Sequence, residues 1–164
     1  MSDALTKYSC LLPGTPEVPF RVSGTRTELT LRWNVPTDDG GCPLTGFNLY
    51  RDDGTQGTVS IEVDSAAIRS RPSLVEHKVL FVAGDTGKQF RFQLQANNIE
   101  GSSISRVAAF IIADVPDQPL TKPYKVQSLS SRTSLYIKFD LLTELQSGGT
   151  TITGYQLQVD DGMA

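Results

Sequence analysis

Few residues in this chain have the types and the spacing that a chemical reaction requires. Lys88 follows Gly87 in the segment GDTGKQF, which looks like the end of a phosphate-binding loop. That motif needs a glycine five positions before Gly87 and a serine or threonine after the lysine, but this chain has Val82 and Gln89 there. His77 is the only histidine, and no nucleophile or orienting group can be named beside it. The sequence therefore predicts a non-catalytic chain that needs no cofactor.

Two further groups could bind a partner or each other. Arg69 and Arg71 lie in the polar stretch 64–73 and could contact an acidic partner, although a solvated loop is the simpler interpretation. Cys10 and Cys42 are the only cysteines, which is too few for a disulfide scaffold. Cysteine number and spacing alone favour two isolated thiols.

The composition is that of an ordinary folded protein, with 38% hydrophobic and 20% charged residues. A net charge of −3 argues against nucleic acid as a partner, because phosphate binding needs a basic face. No apolar run reaches the roughly 18 residues of a membrane span, and the first residues lack the apolar core of a signal peptide. We therefore expect this chain neither to insert into a membrane nor to bind nucleic acid.

The elements that would position these residues are organised around an internal repeat. Residues 40–54 have the sequence GGCPLTGFNLYRDDG. Residues 148–162, 108 positions later, have the sequence GGTTITGYQLQVDDG, with 8 of 15 positions identical. Each copy runs from a Gly-Gly turn through an alternating strand to an Asp-Asp-Gly turn. A repeat of about a hundred residues is the size of a whole small domain, so the sequence predicts two related domains.

Alternating segments around the first copy predict further strands. Residues 28–33 (ELTLRW) and 90–96 (FRFQLQA) place apolar side chains on one face, and residues 134–139 (SLYIKF) do so in the second copy. Further strands are predicted at 20–22, 58–63, 77–82 and 106–113. Seven short strands with no helical stretch indicate an all-β, antiparallel sandwich. The inward-facing positions that we expect in the cores are Leu31, Trp33, Phe47, Leu49, Phe90, Phe92, Leu94, Phe139 and Tyr155.

Two proline-rich segments, 11–19 (LLPGTPEVP) and 112–123 (IADVPDQPLTKP), each precede a short strand. Proline holds the backbone extended and removes a ladder donor, so these segments are typical of linkers between consecutive domains. Residues 4–12 could then be the last strand of a preceding domain.

With these residues in hand, the chain resembles tandem fibronectin type III domains, which are immunoglobulin-like β-sandwiches. Trp33 occupies the tryptophan position of the second strand, and residues 46–49 (GFNL) match the Gly-Tyr-x-Val pattern of the third. Residues 90–103 match the sixth strand and the turn after it, with Asn98, Gly101 and Ser103 in the expected places. Two positions depart from the family pattern: Phe90 replaces a tyrosine, and Phe139 replaces the tryptophan in the second copy.

The resemblance implies three segments. Residues 1–12 are a linker or the tail of a preceding domain, residues 13–114 are a complete domain, and residues 115–164 are a second domain truncated after its third strand. If the truncated domain is ordered, we expect another chain, or residues outside this sequence, to cover its apolar face. The resemblance also places the loop that holds Cys42 beside the linker that holds Cys10, so a Cys10–Cys42 bridge is sterically possible, although isolated thiols remain the favoured interpretation.

The resemblance would also gather carboxylates at one pole of the first domain, beside the linker. Clustered carboxylates can bind Ca²⁺, which takes six to eight oxygen ligands. The favoured alternative is a simple turn with solvated acids, because no calcium-loop spacing is present. The candidate acids are Asp52, Asp53, Asp85, Asp114, Asp117 and Glu144.

The function implied by the resemblance is a non-catalytic spacer or adhesion module that contacts other protein domains within a larger multidomain protein. Residues 97–101 (NNIEG) lack the Arg-Gly-Asp motif that this loop can carry in the family, so integrin binding is not implied. Two alternatives stay open: an accessory domain of a larger secreted enzyme such as a carbohydrate hydrolase, and part of an intracellular cytoskeletal or ciliary array. The family slightly favours an extracellular or cell-surface location.

Overall fold

The computed structural model describes residues 9–160, and the chain divides into two compact units, Met1–Ala113 and Asp114–Ala164. Most of the strand considered at residues 4–12, and the end of the second repeat copy at 161–162, lie outside the described residues. Between residues 9 and 160, no helix is long and apolar enough to cross a membrane.

The first unit is built from two antiparallel sheets. The strands of the first sheet are β1 (Phe20–Gly24), β2 (Glu28–Arg32) and β5 (Glu76–Leu80). Those of the second are β3 (Gly46–Arg51), β4 (Ile61–Val63), β6 (Gln89–Asn97), β7 (Ser102–Ile104) and β8 (Ala108–Ile111). The first sheet has the strand order β1-β2-β5, and the second has the order β4-β3-β6-β7, with β8 also paired to β6. The antiparallel sandwich predicted from the alternating segments is confirmed.

The longest strand, β6, joins the second sheet together. It pairs with β3 along one edge, and β7 and β8 pair with it one after the other along the opposite edge. Its sequence alternates strictly, and so does its burial: Phe90, Phe92, Leu94 and Ala96 are buried between residues that are not. Because successive side chains in a strand point to opposite faces, this alternation fixes which face of the sheet meets the core.

The core lies between the two inner faces. Trp33 is 1% exposed and follows β2 directly, held by a hydrogen bond from its backbone N–H to the Val75 carbonyl at 2.9 Å. Its ring packs against Phe47, with centroids 5.9 Å apart. At position 90, where the family has a tyrosine, the Phe90 ring packs against Phe81 at 4.7 Å. Leu31, Phe47, Leu49, Phe90, Phe92 and Leu94 are all at most 1% exposed.

A short helix corrects the expectation that the chain has no helical stretch. The helix α1 (Ser65–Ile68) lies inside the segment that the sequence indicates as a polar loop. Its last residue, Ile68, is fully buried and belongs to the core of the first unit. The sequence conceals this helix because four residues are too few to show a helical period, and one apolar residue among polar neighbours is typical of a loop.

The second unit contains little regular structure within the described residues. Two short strands, β9 (Tyr124–Lys125) and β10 (Ile137–Lys138), pair antiparallel, and two 3₁₀ turns span Gln127–Leu129 and Glu144–Gln146. Residues 154–159, the second copy of the repeated strand, form no strand there. In the first unit this strand, β3, lies between β4 and β6, and residues 114–160 contain no strands paired in that way. A strand with no neighbours has no partners for its backbone groups.

In the second unit, the side chains that we expected to form a core are partly or largely exposed to solvent. Phe139 is half-buried and packs against the Tyr155 ring, with centroids 5.5 Å apart. Tyr155 nevertheless exposes 41% of its surface, and Leu135 exposes 60%. The structure therefore does not bury Tyr155 in the way that its counterpart Phe47 is buried.

Candidate functional site

The three candidate acids of the first unit each have a protein partner. Asp53 accepts hydrogen bonds from the backbone and the side chain of Thr55, at 3.0 and 2.6 Å. Asp85 accepts one from Nζ of Lys88 at 2.9 Å, and this bond lowers the pKa of the Asp85 carboxyl below its usual value. Lys88 therefore forms a surface ion pair with Asp85.

Asp52 is fully buried, which neither the turn pattern nor the calcium hypothesis anticipated. Its Oδ1 accepts hydrogen bonds from the backbone N–H groups of Arg91 and Gly54, at 3.0 and 3.2 Å. Its Oδ2 accepts a hydrogen bond from Nε of Arg91 at 2.9 Å. Burial raises the pKa of the Asp52 carboxyl, but the hydrogen bonds from Arg91 and Gly54 outweigh burial, so the pKa lies below the usual 3.8. Asp52 therefore ties the turn after β3 to β6.

The candidate acids of the second unit make local contacts. Oδ1 of Asp114 accepts a hydrogen bond from the backbone N–H of Val115 at 2.7 Å, and Glu144 begins a 3₁₀ turn. The backbone N–H of Asp117 donates to the carbonyl of Gln146 at 2.8 Å. Among residues 9–160, no group of three or more His, Cys, Asp or Glu residues could hold a metal ion. Calcium binding by the six acids stays a hypothesis that these contacts do not favour.

The other candidate residues, His77 and Arg69, each lie near an acidic side chain of the first unit. Nε2 of His77, on β5, lies 3.4 Å from Oδ2 of Asp64. Burial lowers the pKa of His77 below its usual 6.5, and the nearby Asp64 carboxylate opposes that effect only in part. Nη2 of Arg69 lies 2.6 Å from Oε2 of Glu62, so Arg69 already has an acidic partner within its own unit.

Outside the core, residues 10–14 lie against one pole of the first unit and bond to it. We call this arrangement the amino-terminal clamp: residues 10–14, the loop 38–42, Asn98 and Ser103. The backbone N–H of Leu11 donates to the Gly40 carbonyl at 2.8 Å, and that of Gly14 donates to the Asp38 carbonyl at 2.9 Å. The entering segment thus pairs with the loop through its own backbone at both ends.

Two side chains complete the clamp: Asn98, which directly follows β6, and Ser103 on β7. Nδ2 of Asn98 donates to the carbonyls of Leu11 and Asp39, at 2.7 and 2.8 Å. Oγ of Ser103 donates to the Pro13 carbonyl at 2.5 Å. The sequence analysis identified Asn98 and Ser103 only as matches to the family pattern. It did not predict that both side chains hydrogen-bond to the backbone of residues 11–13.

A disulfide bond joins Cys10 to Cys42 within the clamp, with 5.6 Å between the Cα atoms. This separation lies in the range that a disulfide requires. The expectation of two isolated thiols is therefore wrong. Cysteine number could not show the pairing, because it depends on residue 10 lying alongside the loop that contains residue 42.

Gly40 is required by the clamp geometry. Its φ is +75°, in the left-handed region that favours glycine, and a Cβ there would collide with the Leu11 carbonyl oxygen. The second repeat copy has the same arrangement within its own unit. Gly148 has φ +79°, its carbonyl accepts from the backbone N–H of Asp114 at 2.8 Å, and a Cβ there would collide with the Asp114 carbonyl oxygen.

No protein-family model matches this chain. Among solved structures it is similar to a human fibronectin type III domain, at 18% identity and a TM-score of 0.54, covering 73% of this chain and 96% of that one. It is also similar to the twitchin kinase region from C. elegans, at 21% identity and a TM-score of 0.52, covering 64% of this chain and 19% of that one. A multidomain titin structure matches at 20% identity and a TM-score of 0.51, covering 63% of this chain and 33% of that one. The chain thus spans a third or less of the titin and twitchin chains, and at these identities the likeness shows the fold alone.

Proposed function

We propose, from the fibronectin type III fold of this chain and from its clamp, that it is a non-catalytic structural and protein-interaction module of a larger multidomain protein. The observation that carries the proposal is that the chain entering the first unit is bonded to the body of that unit. A segment paired at Leu11 and Gly14 and joined through Cys10 has far less freedom than a flexible linker. A module that holds its incoming chain can act as a spacer of defined geometry.

The disulfide favours one of the alternatives left open by the sequence. Disulfides form and persist in oxidising compartments and are rare in the cytosol. The Cys10–Cys42 bond therefore supports an extracellular or cell-surface role over an intracellular array. An accessory role beside a secreted enzyme would have the same requirement, and the clamp is compatible with it.

We further propose that residues 13–114 are one complete domain and that residues 115–164 are the first part of another. The repeat supports this division, because the counterparts of β3 and of the Gly-Gly loop are present in the second unit. In the first unit β3 pairs with β4 on one side and β6 on the other, and no segment that corresponds to either strand follows residue 160 in this sequence. When the second unit is fully ordered, another protein segment covers Tyr155 and Leu157.

Backbone dynamics test the spacer proposal. In the oxidised full chain, ¹⁵N relaxation of the amides of residues 10–14 is expected to give order parameters near 0.85, like those of β6. Replacing Asn98 with alanine removes the hydrogen bonds to the Leu11 and Asp39 carbonyls and should lower the order parameters of residues 10–14. The matched control is Asn97→Ala, because Asn97 is the adjacent residue, at the end of β6, and its amide donates to Asn48 and not to the clamp. Order parameters below about 0.6 at residues 10–14 of the unmodified chain would contradict the proposal.

A further inference from the structure

The two units hold their entering segments through the same backbone bonds. In the first unit, Leu11 donates to Gly40 at 2.8 Å and Gly14 donates to Asp38 at 2.9 Å. In the second unit, Asp114 donates to Gly148 and Asp117 donates to Gln146, both at 2.8 Å. The spacing is identical, because each pair of donors is three residues apart and each pair of acceptors is two apart. Leu11 and Asp114 are therefore equivalent positions.

The first unit has a disulfide bond at this attachment, and the second unit has no cysteines at the equivalent positions. The residue before Leu11 is Cys10, but the residue before Asp114 is Ala113. The residue that follows the Gly-Gly pair is Cys42 in the first copy and Thr150 in the second. The second unit thus forms the same two backbone hydrogen bonds without a disulfide, and the Cys10–Cys42 bond is an additional attachment that the second unit lacks.

Apolar packing contributes little to holding the first residues of the entering segment. Leu11 and Leu12 expose 74% and 51% of their surfaces, and the first buried residue is Pro13. Hydrogen bonds broken when the segment leaves the pole are replaced by hydrogen bonds to water, so their net contribution is small. Between residues 10 and 12, the disulfide is the strongest attachment.

We propose that the Cys10–Cys42 bond makes the attachment of the entering segment to the first unit redox-dependent, while the equivalent attachment in the second unit is redox-independent. With the bond closed, residues 10–12 stay on the pole. With the bond reduced, they detach locally while the sandwich remains folded. This inference rests on the proposed spacer function, because it adds the condition under which the spacer is stiff.

Reduction of the Cys10–Cys42 bond by thiol–disulfide exchange requires a dithiol reductant and a sulfur atom that it can attack. Cys42 is only 6% exposed, whereas Cys10 is half-buried, so Cys10 is the more exposed of the two cysteines and we place the attack on its sulfur. A thiolate of the reductant attacks Sγ of Cys10, forms a mixed disulfide and displaces Cys42 as a thiolate, which then takes up a proton. The second thiol of the reductant displaces Cys10, so the protein gains two electrons and two thiols, and the reductant leaves as a disulfide.

Amide hydrogen exchange of the full chain, oxidised and then reduced with dithiothreitol, tests this inference. Reduction should accelerate exchange at Leu11 about tenfold or more beyond any acceleration at Leu94, which lies in the core of the same unit. Exchange at Asp114 should not change. The Cys10→Ser variant should show the reduced pattern with or without dithiothreitol, and its circular dichroism spectrum shows whether it is folded.

Two outcomes would overturn the inference. Exchange at Leu11 could be unchanged by reduction, which would mean that the hydrogen bonds suffice. Alternatively, Leu11 and Leu94 could accelerate by the same factor, which would mean that the disulfide acts only on global stability. If residues 10–14 are mobile even in the oxidised chain, the proposed spacer function fails instead, so the two failures are distinguishable.

Discussion

Replacing Trp33 with alanine is expected to lower the free energy of unfolding of the first unit by about 3–5 kcal/mol, the usual range for a buried aromatic residue. The side chain is 1% exposed and lies in the core shared by both sheets, in contact with Phe47. Its removal leaves a cavity that rigid neighbouring strands cannot fill by collapse. Urea denaturation followed by far-ultraviolet circular dichroism measures the loss.

The control for this prediction is Trp33→Phe. Nε1 of Trp33 is buried and has no hydrogen-bond partner among residues 9–160, so phenylalanine loses volume but no hydrogen bond and should cost less than alanine. Trp33 is the only tryptophan, and its fluorescence should be blue-shifted in the folded chain. Emission typical of water-exposed indole, or an alanine variant as stable as the unmodified chain, would contradict this account of the core.

The second large effect is expected at the buried ion pair. Arg91→Ala removes the guanidinium that faces the fully buried Asp52 carboxylate and leaves that charge with only the backbone N–H groups of residues 91 and 54 as partners. Removing one partner of a buried ion pair typically costs about 3–5 kcal/mol. The matched control is Lys88→Ala, which breaks the Asp85 pair. Lys88 is 50% exposed, and exposed pairs typically contribute about 0–1 kcal/mol. Equal effects of the two substitutions in urea denaturation would contradict the prediction.

The ion pair also predicts a pH dependence. The folded-state pKa of Asp52 lies below 3.8, so its ionised form stabilises the fold above that value, and this contribution disappears as the pH falls through the folded-state pKa. Stability of the unmodified chain should therefore decline in acid, and Asp52→Asn should remove this part of the decline. The cost of Arg91→Ala should also shrink in acid, because a protonated Asp52 carries no charge for the guanidinium to neutralise.

The sandwich was predictable because its core residues follow the two-residue period of a strand. Leu31, Trp33 and Phe92 are each set between polar neighbours, so their burial follows from alternation. The helix α1 has no such period, and the single buried residue Ile68 gives no pattern. Local patterning therefore predicted most of the strands, but it missed α1 and also the short strand β7, which lies in the segment expected to be the turn after the sixth strand.

The clamp and the ion pair depend on contacts between distant positions. Asp52 and Arg91 are 39 residues apart, and an Asp-Asp-Gly segment is equally typical of a solvated turn. Cys10 and Cys42 are 32 residues apart, and their pairing depends on the path of the segment before β1. The spacing of these residues along the sequence does not show how the chain brings them together. The family resemblance placed the loop that holds Cys42 beside the linker that holds Cys10, but it did not decide whether the two cysteines form a bond.

In the second unit, an alternating sequence pattern is present but the neighbouring strands that flank β3 in the first unit are not. Residues 154–159 have nearly the same alternation as β3, but Tyr155, Leu157 and Val159 expose 41%, 47% and 76% of their surfaces. Leaving apolar surface in water forfeits about 25 cal/mol per Å². The pattern therefore specifies a strand only when neighbouring strands are present to bury one face.

We have proposed that this chain contains one complete domain followed by the first part of a second. Hydrogen exchange across the full chain, in dilute solution and with the monomer verified by light scattering, tests this division. Amides of β6 should exchange slowly, because they open only when the first unit unfolds, and amides of residues 135–139 should exchange orders of magnitude faster. Slow exchange across residues 135–139 in a verified monomer would show that the second unit is stable alone and that the proposed division is wrong.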